Sequence, residues 1–250
     1  MQNKKFQKES TSYSLSENSI KTKNEFGEAN IVASLIYRRF KQVMNPYWER
    51  KKLNQFRKLI LRIIRSAPAE NTGNRKLWDG NFKLLEDFQI NPKATASNLF
   101  RKSITLTIDP DNMNANVAIV PFKYSYAFEK ALPKTTIAQV KLYIFSFDIV
   151  NRDSSGKSII LLNQPHGKDL DNGFELNLPI EDNRLTLFIR KVSFKSGTDN
   201  TDIMDRQYIG ATVTNAVYIK NGQLVTFVPE QKEEVLKKAE LLPGEWEDLG

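Results

Sequence analysis

From residue 104 onward the apolar residues recur at every second position, and this change of period constrains the fold more than any other feature of the chain. Ile104, Leu106 and Ile108 alternate with threonines before the turn sequence DPDNMN. Further runs follow: ANVAIVPF, TIAQVKLYIFSFDIV, SIILL, FELNLP, RLTLFIRKVSF and QYIGATVTNAVYIK, the last joined by Asn221-Gly222 to QLVTFV. Alternation puts successive side chains on opposite faces of a strand, and Asn-Gly between two such runs suits the two-residue hairpin turn, whose central residues need positive φ. Seven or eight short strands with no helical period between them imply an antiparallel sandwich, Greek-key and immunoglobulin-like in outline. The strand order does not follow from the pattern.

Before residue 77 the period is helical. Ile31, Val32, Leu35, Ile36, Phe40 and Val43 share one broad face of a helix starting at Ala29, and Asn45-Pro46 suits the N-cap and first position of a second helix. In that second helix Leu53, Phe56, Leu59, Ile60, Ile63, Ile64 and Ala67 form one stripe, with Lys51, Lys58, Arg62 and Arg65 roughly opposite. Burying the large apolar side chains of the stripe is worth on the order of 10 kcal/mol before opposing entropy, so it must rest on protein, whether its own domain or a neighbour. The expected class is mainly β with an α-helical N-terminal region. A mobile polar arm (1–28) and a basic helical region (29–76) precede an antiparallel immunoglobulin-like β-sandwich (77–229), and an acidic tail (230–250) follows.

Charge is divided just as unevenly. The chain carries a net +8, yet residues 1–76 hold 17 Lys and Arg against 6 Glu, whereas residues 77–250 hold 20 basic and 23 acidic groups. Residues 230–250 contain seven acidic and three basic side chains. Such asymmetry points to an electrostatic partner for the N-terminal part, or to the chain's own tail folded over it. The candidate partner-binding residues are Arg38, Arg39, Lys51, Lys58, Arg62 and Arg65. Without a helix-turn-helix, finger or RNP motif, nucleic-acid binding through them would be nonspecific, each neutralised phosphate adding about −0.9 to the slope of log affinity against log salt.

Several motifs resemble chemistry without completing it. Gly156-Lys157-Ser158 is the tail of a phosphate loop, but position 151 is Asn where glycine is required, and strands flank it, so a hairpin turn at Ser-Ser-Gly is expected. A calcium loop counted from Asp169 in KDLDNGFEL needs a glycine sixth and a Glu twelfth, but Gly173 is fifth and Ile180 is twelfth, so the stretch reads as a polar turn. Asp199, Asp202 and Asp205 read as solvated loop charges. His166, the only histidine, excludes multi-histidine metal sites and reads as a surface loop residue. Tyr143, Phe145, Phe147 and Phe188 alternate as core residues rather than base-stacking platforms. The absence of cysteine removes disulfides, thiolate nucleophiles and cysteine-bound metals, and fits a reducing compartment. No apolar run has signal-peptide or membrane-span length, so a cytoplasmic protein without a membrane span, metal or cofactor is expected.

The segments NEFGEANIVASLIYRRF and RKLWDGNFKLLEDFQINPKA resemble a group of uncharacterised Bacteroidota proteins with a basic helical region and a C-terminal sandwich similar to the DUF6266 group. Glu25, Phe26, Gly27, Ala29, Leu84, Leu85, Glu86, Phe88 and Asn91 carry the likeness, while Asp87 stands where the pattern usually has Gly. The resemblance implies the helical-plus-sandwich architecture and supplies no activity. The leading functional expectation is a non-enzymatic structural or assembly protein, its helical arm docking on a protein partner or another copy. Nonspecific nucleic-acid binding is the alternative.

Overall fold

The computed structural model describes residues 14–44, 49–128 and 136–228. Two helices, α1 (Glu17–Met44) and α2 (Arg50–Arg65), precede eight strands: β1 (Thr105–Asp109), β2 (Asn114–Ile119), β3 (Thr136–Asp148), β4 (Asp153–Pro165), β5 (Phe174–Pro179), β6 (Arg184–Ser196), β7 (Gly210–Lys220) and β8 (Gln223–Leu224). Every pairing between them is antiparallel, in a three-stranded sheet ordered β1-β2-β5 and a five-stranded sheet ordered β4-β3-β6-β7-β8. The chain is mainly β with helices at its N-terminal end, as the change of period implies.

The larger sheet lies in the middle of the molecule. One of its faces, with Val140, Leu142, Ile144, Phe188 and Val192, shares a core with Val117, Ile119 and Leu178 of the smaller sheet. Its other face, with Phe145, Phe147, Leu185, Leu187 and Val213, shares a second core with Phe40, Phe56, Ile60 and Ile63 of the helices. The helices are therefore a third layer on the sheet, where the sequence reading has them as a region set before it. Phe56, Ile60, Ile63, Ile64 and Ala67 are buried, and Leu53 and Leu59 pack beside them, so the α2 stripe rests on the chain's own sheet. Ile31, assigned to the buried face of α1, is instead exposed.

Polar contacts set the helix starts. The Ser19 amide donates to Ser16 Oγ (3.2 Å), and Glu17 pairs with Lys21 (2.6 Å) one turn on, so residues 17–28 are helix where a polar arm is expected. Residues 1–13 of that arm lie outside the described residues. α2 starts at Arg50 with Glu49 in extended conformation before it, later than an Asn45-Pro46 start would give. Asn45 and Pro46 themselves lie outside the described residues, as does the acidic tail.

The turns explain the hairpins. Asp109 accepts bonds from the Asn112 amide (3.1 Å) and side chain (2.8 Å) in the DPDNMN turn. Asn221 and Gly222 both take positive φ (52° and 74°), the pattern of a type I′ turn. β8 has only two residues, shorter than the run QLVTFV. The rest of that edge of β7 is taken by residues 87–90, where the Asp87 amide donates to Val213 O (2.8 Å) and the Ile90 amide to Ala211 O (2.9 Å). The β3–β4 turn falls at residues 149–152, so Gly156-Lys157-Ser158 lies inside β4 and not in a turn. The Phe145 ring crosses Gly156 so closely that an added Cβ would sit 2.3 Å from Cδ1, which accounts for glycine within the strand.

A candidate interaction surface

Four of the six candidate cations share one ridge. Lys51, Lys58, Arg62 and Arg65 follow one another at helical spacing along the outer face of α2, the face its apolar stripe leaves to solvent, and all four are exposed. At about 1.5 Å per residue the ridge runs for roughly 20 Å. Arg65 is partly engaged, its Nε donating to Glu25 Oε2 (3.4 Å). Among the described residues Lys51, Lys58 and Arg62 form no ion pair.

Arg38 and Arg39 do not join the ridge. The Arg39 Nε donates to Ser154 Oγ (3.0 Å), Nη2 donates to the Ser154 carbonyl, and the guanidinium lies over the Phe145 ring, 5.8 Å from its centroid. That side chain clamps α1 to β4 and is not available to a partner. Arg38 is exposed, in a hollow with Arg152 beside the β3–β4 turn. Since β4 and β7 lie toward opposite ends of the larger sheet, these two arginines belong to one flank and the groove described next to the other.

Beside the ridge, α2 and the segment 84–88 enclose a groove of about 460 Å³. Leu59, Leu84 and Phe88 form its apolar floor, Lys58 and Arg62 one rim, and Glu86 and Asp87 the other, with Gln55 at one end. Phe88 is held by Phe40 and Phe56, with ring centroids 5.9 and 5.0 Å away, and the Lys52 ammonium lies 5.7 Å from its ring centroid. Burial lowers the Lys52 pKa, opposed by the Glu49 carboxylate. The acidic rim is partly occupied: Glu86 Oε1 accepts the Ala216 amide (3.2 Å), and the Asp87 carboxylate favours the charge of the neighbouring Arg190 guanidinium, whose pKa burial depresses. The two rims carry opposite charge, and the positive one, Lys58 and Arg62, continues into the exposed ridge of α2. A roomier hollow at Lys93, Ser97, Asn98, Arg101 and Gln207 is polar, with Leu99, Ala94 and Tyr208 as its apolar lining.

Leu84, Glu86 and Phe88 enter the sequence reading only through the resemblance, and Leu59 only as part of the stripe. Nothing local in the sequence announces that they meet. The one available signal is Asp87, which takes φ +63° where the resembling pattern has Gly, and so marks a sharp turn at this point. Other residues carrying the likeness hold backbone. Glu25 accepts from Arg75 (3.4 Å) and the Gly73 amide (3.1 Å), and buried Asn91 donates to Arg206 O (2.8 Å) and to Ile209 O.

The remaining motifs serve the fold. Asp169 Oδ1 accepts the Tyr124 amide (2.7 Å), Asp199 caps the Thr201 amide (3.2 Å), and Asp205 accepts the Gln207 amide (3.0 Å). His166 is half-buried rather than a free surface residue, because its ring packs against Tyr124 with centroids 5.0 Å apart. Phe145, Phe147 and Phe188 are buried core residues, and Tyr143 packs against the helix-side core. Among the described residues no three Asp, Glu or His side chains converge to hold a metal ion, and no helix is long and apolar enough to cross a membrane. No family model matches the chain, and no curated protein or solved structure does either.

Proposed function

We propose that the chain is a non-enzymatic interaction protein that binds an acidic segment of a partner protein, anchored by an apolar side chain, in the groove between α2 and residues 84–88. The observation carrying this reading is the combination of the Leu59, Leu84 and Phe88 floor with the unpaired Lys58 and Arg62 rim. A phosphate backbone needs only the cations, whereas an apolar floor rewards a side chain inserted between them. Self-assembly through the helical stripes loses its motive, since the stripes are consumed within the chain. The same reading takes the two sheets as an immunoglobulin-like sandwich: the first, second and fifth strands form one sheet, and the fourth, third, sixth and seventh the other, matching the A-B-E and C′-C-F-G order of that architecture. It also takes the cysteine-free chain as cytoplasmic and as a member of the Bacteroidota group it resembles.

The test is fluorescence anisotropy with a labelled peptide in which Trp is flanked by Glu, titrated with the full chain. Binding should weaken at least about tenfold in Lys58→Glu/Arg62→Glu and when the Trp is replaced by Ala, the anchor being the kind of residue that dominates such contacts. No binding, or binding indifferent to both changes, rejects the groove. The exposed Lys51, Lys58 and Arg62 favour nonspecific nucleic-acid binding as a second reading. It requires duplex DNA to bind with a salt slope of about −2.7 that those substitutions flatten.

A further inference from the structure

We infer that, in the resting chain, the groove is occupied by the chain's own C-terminal segment, residues 245–249. This inference rests on the proposed groove and names what fills it when no partner is bound. Three observations lead there.

The first is where the described chain ends. The Val225 amide donates to Tyr218 O (2.9 Å), and the Val225 side chain packs into the helix-side core. Tyr218 stacks on Trp78 (6.1 Å), whose turn leads into Gly80 beside the Ile63 carbonyl near the end of α2. The chain thus leaves on the helical side of the middle sheet, close to the C-terminal end of the helix that forms the groove.

The second is length. Between Val228 and Trp246 the chain advances 18 residues, which treated as a coil spans about 25 Å root-mean-square, similar to the length of α2. A tether matched to its span presents its end at an effective concentration of millimolar order, so even a weak contact becomes populated.

The third is chemistry. The segment reads Glu245-Trp246-Glu247-Asp248-Leu249: two apolar anchors interleaved with three carboxylates, while no Lys or Arg lies beyond Lys238. Trp246 and Leu249 suit the Leu59, Leu84 and Phe88 floor, and the carboxylates suit Lys58 and Arg62. Occupation in cis makes the segment a competitor that a partner must displace. It supplies a threshold for binding.

The absence of cysteine allows a direct test in the full chain. Gln55→Cys/Gly250→Cys places one thiol at the groove and one directly after Leu249, while Asn112→Cys/Gly250→Cys places the first in the β1–β2 turn on the other side of the molecule. Under mild oxidant at low protein concentration, the groove pair should form an intramolecular disulfide about tenfold faster than the control pair. Lys58→Glu/Arg62→Glu or Trp246→Ala should remove the difference, with circular dichroism verifying that each variant is folded. Equal rates for the two pairs overturn the inference. Disulfide-linked dimers whose yield rises with concentration overturn it as well and assign the groove to a second copy.

A labelled peptide of residues 240–250, added to full-length Trp246→Ala, separates the two levels. If the peptide binds and Lys58→Glu/Arg62→Glu abolishes the binding while the two disulfide rates are equal, the groove stands and occupation in cis fails. If the peptide does not bind and the rates are equal, both fail.

Discussion

Glu25 is 4% exposed in a stretch of α1 otherwise dominated by polar residues, and its carboxylate joins three parts of the chain: the end of α2 through Arg65, the following loop through the Gly73 amide, and Arg75. Arg75 is itself only 11% exposed, so removal of its counter-charge leaves a nearly buried guanidinium uncompensated. Glu25→Ala should therefore destabilise the fold by about 3 kcal/mol, read as a fall of roughly 6–12 °C in Tm. Tyr37 gives a different readout. It is buried and donates to Glu49 O (2.8 Å), and burial, reinforced by the Glu49 carboxylate, pushes its pKa up to about 12. The folded chain keeps this proton where the unfolded chain, with its tyrosine near pKa 10, has released it. Stability from this group is intact below about pH 10 and is lost as pH rises through about 12. Denaturant titrations across that window should show a smaller loss in Tyr37→Phe. Part of the slope will persist, because burial also raises Tyr124, Tyr143 and Tyr218.

At the scale of elements, Gly156 and Phe145 form a cross-strand pair with the Arg39 guanidinium over the ring. Gly156→Ala must move a ring held between sheet and helix, so it should cost about 1–3 kcal/mol in chemical denaturation, with little change in far-UV circular dichroism. The strands were legible because alternation is local: each of the eight runs overlaps a strand, although SIILL marks only the middle of β4. The turn of this same hairpin was misplaced because Ser-Ser-Gly has turn composition, while the glycine is demanded by a ring on the neighbouring strand. The beginning of α1 was missed for a related reason. Its start is set by polar groups, the Ser16 hydroxyl and the Glu17–Lys21 pair, and it is tied down by Glu25, whose partners stand 40 to 50 residues away; apolar period carries no trace of either. β7 carries a further irregularity. Its register against β6 shifts at Phe188/Ile189, Thr214 is the extra residue, and its hydroxyl donates to Phe188 O (3.1 Å). Residues facing the helices are Ala211 and Val213 before the bulge and Ala216 and Tyr218 after it, so the alternation changes phase within a strand. Of the binding surface, the ridge was legible as four cations at helical spacing, but the groove depends on Leu84 and Phe88 arriving from outside the helix.

For the whole molecule, three layers around two cores leave neither face of the middle sheet for another copy to take. Multi-angle light scattering should accordingly give the monomer mass over a range of concentrations, at low and at high salt alike. A multimer that survives high salt would place an apolar interface on a surface other than the helical stripes. The larger sheet also has unequal sides. Beyond β7 the ladder ends in the two-residue β8 and in residues 87–90, both short edges, while among the described residues β4 has only β3 beside it and presents a 13-residue edge. A sheet with one long border has one good place to be lengthened: two copies joined β4 to β4 would consume both long borders and leave only short ones to which a third could add. Growth along this sheet is thereby disfavoured beyond a pair, and the route by which stacked strands propagate into a fibre narrows at its second step.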